Sequence, residues 1–177
     1  MNIYYEKFIN FFKEHNMYNE EMFAYLRNNS TMFDYRDEEK RKTIGCYYAL
    51  DSKDRLKKIA LVVPFIDSDK TVLINIHEYA HGITAYPKLE KKYKHTLDRE
   101  IVPMLLERIY AENNPELLTY IEELNKSIIE SERKDYKIAL KVVDELYDDY
   151  KKSYRSKRMN SINNKCKKLV RKHKESK

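Results

Sequence analysis

At 177 residues the chain is long enough for one domain with a real core and an appendage, and too short for two large domains. A hydrophobic content of 42% and 16 Tyr exclude a disordered polymer, while only 2 Gly and 4 Pro argue against a fold of many tight turns and for long helices. The net charge of +6 hides an asymmetry: residues 151–177 hold 12 Lys or Arg against one acid, Glu175, so a tail of +11 follows a body of −5.

In chain order, Ile3, Phe8, Phe11 and Phe12 recur at helical spacing, as do Met22, Phe23, Tyr25 and Leu26 after a break near residues 16–19. Two N-terminal helices are predicted, the second ending at Asn28-Asn29-Ser30, with a charged connection over residues 34–42. Residues 43–50 and 58–63 are rich in β-branched and aromatic side chains, and the polar residues 51–55 between them suit a hairpin loop. Pro64 limits how far the second strand can pair.

Asp67 or Ser68 is placed to cap a helix over about residues 70–85, with Val72, Ile76, Tyr79 and Ile83 as its core-facing stripe. Leu73, Ile74 and Ala80 widen that stripe, which predicts a helix covered on most sides. Its polar exceptions are Asn75, His77, Glu78 and His81, groups whose burial costs several kcal/mol unless partners are found. Further helices are predicted over residues 97–111, 116–130 and from 133 to beyond 154, the last carrying Ile138, Val142, Val143, Leu146 and Tyr150 at helical intervals. The terminal basic portion either continues that helix or frays; its charge points to nucleic acid, an acidic partner or an anionic membrane surface, beside the plainer role of a solvated helix end.

Five of those helix residues form a motif. His77-Glu78-Tyr79-Ala80-His81 is the HExxH arrangement in which two imidazoles four residues apart share one helical face and can ligate one cation, with the Glu beside them as general base. A catalytic zinc site needs a third protein ligand and an open fourth position. Histidine does not supply it, since only His95 and His173 follow His81 and neither fits a histidine-completed spacing. A carboxylate of the next helix is the better source: Glu100, nineteen residues after His81, or Glu107, seven further and close to the same helical face.

Residues 71–83, with Glu100-Ile101-Val102-Pro103-Met104-Leu105-Leu106-Glu107, resemble the active-site core of the thimet oligopeptidase and oligopeptidase F family of gluzincins. The similarity covers roughly residues 71–110. It implies zinc held by His77, His81 and Glu100, with Glu78 as catalytic base and Glu107 as a companion that orients a ligand histidine. A weaker resemblance is to the small phage-repressor-cleaving gluzincins. The chain carries Ala80 where the larger family usually has Gly, and has no counterpart of that family's downstream His and Tyr segment; Tyr86, His95, Tyr136 and Tyr147 are the candidates for stabilising the transition state.

The expected fold is therefore α+β and predominantly helical: a single zincin-like domain over residues 1–150 with a small antiparallel hairpin beside the HExxH helix, a long C-terminal helix, and a basic helical tail over 151–177. The expected activity is zinc-dependent hydrolysis of a peptide or protein substrate, with the strand over 58–63 as the rail on which an extended substrate pairs. The alternative is a non-catalytic binding protein that uses the tail on nucleic acid or an acidic partner. The charged N-terminus and the lack of an apolar run of about eighteen residues predict a cytoplasmic protein with no membrane span. Cys46 and Cys166 lack metal-ligand spacing and are expected to be reduced.

Overall fold

A computed structural model describes residues 2–86, 98–153 and 159–175, which are mostly helical with one small mixed sheet, an α+β arrangement. The chain divides into two compact units, Met1–His95 and Thr96–Lys177. No helix among the described residues is long and apolar enough to cross a membrane.

The first unit opens with α1 (Ile3–Glu14) and α2 (Glu20–Asn28), capped by Asn2 and Asn19, whose side chains accept hydrogen bonds from Tyr4 and Met22 amides. These caps satisfy first-turn N–H groups that have no intrahelical acceptor. The break between the helices uses Asn16 at φ 54°, a left-handed conformation that Asn tolerates better than most residues. The two helices bring Phe8, Phe12 and Phe23 together edge-on, with centroids 5.3 Å apart for both Phe8–Phe12 and Phe12–Phe23.

The predicted hairpin is present as β2 (Gly45–Leu50) and β3 (Leu56–Pro64), antiparallel. Two features of this region differ from the sequence expectation. Ser30–Phe33 forms a further strand, β1, parallel to β3, and the charged connection after it contains a one-turn helix, α3 (Glu38–Arg41). The strand order is β1-β3-β2, so β3 lies between two partners. It pairs with β2 over Leu56–Val62 and with β1 over Leu61–Pro64, so every residue of the expected substrate rail is already paired with at least one strand; the sheet edges belong to β1 and β2.

Helix α4 (Asp69–Ala85) begins at Ser68 with a reciprocal capping box: Ser68 Oγ accepts from the Thr71 amide, and Thr71 Oγ1 accepts from the Ser68 amide. Val72, Ile76, Tyr79 and Ile83 are buried as their spacing predicts, and so are Leu73, Ile74 and Ala80. Tyr79, inside the motif, packs on Phe8 and Phe23 with centroids 4.9 and 5.6 Å away, which fixes the rotation of the helix about its axis. Asn75, fully buried, donates to the Pro64 and Thr71 carbonyls at 3.0 and 2.8 Å. It thereby ties the end of β3 to α4, leaving the other three polar exceptions as the site.

Gly82 permits close packing of α4 on α2: a Cβ there would lie 2.7 Å from Leu26 Cδ2 and 3.1 Å from Cδ1, and Leu26 is fully buried. Gly82→Ala gains about 1 kcal/mol of helix propensity but overpacks the contact at a cost of about 1–3 kcal/mol. We expect the variant to lower the urea midpoint, and the paired change Leu26→Ala to remove that penalty in a double-mutant cycle.

The second unit contains α5 (Asp98–Ala111), α6 (Pro115–Glu130), α7 (Lys134–Ser153) and α8 (Met159–Glu175). Its core joins Ile101, Leu105 and Leu106 of α5 to Ala139, Val142, Val143, Leu146 and Tyr150 of α7. Arg108 reinforces that pairing: its guanidinium bonds Asp144 at 2.9 Å and lies 4.2 Å from the centroid of Tyr147. Asn114 caps α6, with Pro115 at its first position, where a missing N–H costs nothing.

The terminal basic segment neither extends α7 straight on nor frays over residues 159–175. It forms α8, which returns along α7, pairing Lys165 with Asp149 and Lys172 with Glu145 at 2.9 Å. Hydrogen bonds from Lys172 and His173 hold the Glu145 carboxyl below the usual carboxylate range. Lys167, Lys168, Arg171 and Lys174 stay exposed. The expected passage of the helix through Tyr154 lies outside the described residues.

Candidate metal centre

The HExxH residues sit in the C-terminal half of α4, His77 eight residues after Asp69 and His81 four residues before Ala85. His77 Nε2 and His81 Nε2 are 3.1 Å apart, with ring centroids at 4.8 Å and planes inclined by 69°. In a tetrahedral zinc site with Zn–N of 2.0–2.1 Å, two ligand nitrogens stand about 3.3 Å apart. The observed spacing is close to that edge length, and without an ion it is also the distance of a hydrogen bond between the two nitrogens.

The backbone beneath the rings is anchored. Tyr48 Oη of β2 donates to the His81 carbonyl at 3.3 Å, and Thr84 Oγ1 donates to the same carbonyl at 3.1 Å. The sheet therefore holds the turn that carries His81, while Tyr79 on the opposite side is held in the aromatic core. Glu78 is 8% exposed, a degree of burial uncommon for a carboxylate and suited to one that works out of bulk water.

Glu100 lies in the first turn of α5 and is half-buried. Among the described residues, His77, His81 and Glu100 form a group that could hold a metal ion, each offering one ligand atom, with these atoms within 4.8 Å of one another. Glu107 is half-buried two turns further along α5 and is not part of that group. The donor set, two imidazoles and one carboxylate, is one that a divalent transition metal accepts.

Within the second unit Glu100 acts on Tyr136, one of the candidates for stabilising the transition state. Burial, then the charge of Glu100 and a hydrogen bond with it, push the Tyr136 phenol up to about 12. Arg133 lies over the Tyr136 ring, 3.6 Å from its centroid. The other candidates are differently placed: Tyr86 packs edge-on against Tyr25, Tyr147 lies under Arg108, and His95 is outside the described residues.

Comparison of the chain with protein-family models, with curated proteins and with solved structures finds no match in any of the three.

Proposed function

We propose that this chain is a small zinc metallopeptidase of gluzincin type on a zincin-like fold, with His77, His81 and Glu100 as metal ligands and Glu78 as general base. The observation that carries the reading is the donor group itself: an HExxH helix whose two Nε2 atoms stand 3.1 Å apart, with a Glu100 oxygen within 4.8 Å of the ligand atoms of both. A bound zinc ion would supply Lewis acidity toward a peptide carbonyl and lower the pKa of water from about 15.7 toward 7.

The protein's own residues do the rest. Glu78 accepts the proton of the attacking water and passes it to the leaving amine, and its burial strengthens both transfers by keeping bulk water from competing. In this reading Glu107 would be the companion that orients a ligand histidine. An extended substrate would add to a free sheet edge, and β2 is the edge whose Tyr48 reaches the His81 carbonyl.

The test is metal content and hydrolysis together. Protein purified without chelator and dialysed at neutral pH should carry about one zinc per chain and cleave unstructured peptides in a chelator-sensitive manner. Protein that takes up no stoichiometric zinc, and is as active or inactive with chelator as without, sinks the reading.

A binding role for the tail has less behind it. Within α8, Lys165 and Lys172 are drawn onto Asp149 and Glu145, while Lys167, Lys168, Arg171 and Lys174 are exposed and could meet an acidic partner or nucleic acid. Such binding would weaken steeply with salt.

A further inference from the structure

Helix α8 meets α7 with one side and carries its charge on the other. At about 100° per residue, Cys166, Leu169, Val170 and His173 fall on the docked side, Val170 buried and the others half-buried. Lys165 and Lys172 lie at the margin of that side, where Asp149 and Glu145 of α7 neutralise them. Lys167, Lys168, Arg171 and Lys174 share the opposite side, within about 120° of the circumference and over about 10 Å of helix. All four are exposed, and among the described residues no carboxylate is paired with them. Glu175, at the end of the helix, is the acid that shares their face.

We propose that this face of α8 is a docking surface for the phosphate backbone of nucleic acid, bound without regard to base sequence. The make-up of the face decides among polyanions. A helix lying in a membrane surface buries an apolar face there, whereas over residues 164–175 the apolar side chains Cys166, Leu169 and Val170 are on the docked side. Interfaces between proteins are enriched in aromatic residues and poor in lysine; this face has three lysines, one arginine and no aromatic. Lysine is a flexible point charge that needs no fixed partner geometry, which suits a repeating row of phosphates. Each strand of a duplex carries one charge per about 3.4 Å of axis, so the cationic stripe spans about three phosphates of a strand. The surface belongs to the second unit and needs no metal, so its test is separate from that of the zinc reading.

The experiment uses the full chain in chelator, with a fluorescent oligo(dT) and a fluorescent mixed-sequence duplex as probes, and reads anisotropy over a range of KCl. A phosphate contact contributes about −0.9 to the slope of log K against log salt on a duplex and about −0.7 on a single strand, so four contribute about −3.6 and −2.8. We expect the combined variant Lys167→Gln, Lys168→Gln, Arg171→Gln and Lys174→Gln to flatten the slopes by those amounts and to bind at least about tenfold more weakly at about 0.1 M salt. Lys167→Gln alone should flatten the duplex slope by about 1. A control that removes the same charge from exposed positions elsewhere, Lys53→Gln, Lys57→Gln, Lys58→Gln and Lys126→Gln, should bind within threefold of wild type.

A wild type that binds neither probe at about 0.05 M salt overturns the proposal, as does a slope change below about 1 in the combined variant. An equal loss in the control overturns it as well, because net charge and not this face would then be responsible. Polyglutamate that competes better than unlabelled oligonucleotide at equal charge assigns the face to an acidic protein, and tighter binding to phosphatidylserine vesicles assigns it to a membrane; either result overturns the nucleic-acid proposal. Should the combined variant unfold, Lys167→Gln with Arg171→Gln and Lys168→Gln with Lys174→Gln are read instead, each expected to flatten the duplex slope by about 1.8. Unchanged slopes in both pairs overturn the proposal.

Discussion

Glu78→Gln should leave zinc bound and reduce peptide hydrolysis by about 10²–10⁴-fold, the usual contribution of a positioned general base. The substitution keeps the shape of the side chain and deletes its capacity to take a proton. It is a clean probe here because Glu78 projects from the same turn as the ligands but is not one of the three side chains grouped for the ion. Loss of the base and loss of the metal are thereby separable: Glu78→Gln retains zinc and loses turnover, whereas His77→Ala loses both. The measurement is kcat on a quenched fluorescent peptide beside zinc content of the same preparation. Turnover within a few-fold of wild type in the Gln variant removes Glu78 from the chemistry, whatever the metal does. Because Glu78 is buried at 8% exposure, an amide in its place relieves the burial of a charge, so a simple loss of folding is not the expected cause of inactivity.

The parts of the fold legible in the sequence are those whose evidence is local. Helix α4 announces itself through a cap at Ser68 and an apolar stripe at 72, 76, 79 and 83, and β2 and β3 through β-branched and aromatic runs around a polar loop. Strand β1 does not: it has four residues, of which only Phe33 is buried, and its partner lies thirty-one residues on in a parallel pairing that no short-range pattern encodes. The central position of β3 follows from that missed strand, which is why the rail expected over residues 58–63 moves to a sheet edge. The return of α8 along α7 rests on Lys165–Asp149 and Lys172–Glu145, and in sequence these residues read simply as a basic run after an acidic one. For the site, the motif gave the histidine pair outright through the four-residue period of a helix. Glu100 required the resemblance to prefer it over Glu107, and its neighbour Tyr136 was visible only as one of several tyrosines.

Zinc should stabilise the folded protein by a large and site-dependent amount. A ligand that binds only the native state adds RT ln(1 + [L]/Kd), which is about 4 kcal/mol at a free concentration a thousand times the dissociation constant. For a chain of this length each kcal/mol moves the melting temperature by about 2–4 °C, so the wild type should melt about 8–16 °C higher with zinc than with chelator. The gain depends on a preformed pair, because in the unfolded chain His77 and His81 are held together by nothing, whereas in α4 their Nε2 atoms already stand 3.1 Å apart. His77→Ala and His81→Ala should each abolish the zinc-dependent rise, and Glu100→Gln should reduce it. Comparing the rise within each variant, rather than melting temperatures between variants, separates ligand loss from the packing cost of truncating His81, which is 6% exposed. Calorimetric scans at matched free zinc decide the matter: an equal rise in wild type and both His→Ala variants would mean that the metal binds elsewhere, and the hydrolytic reading would lose its centre.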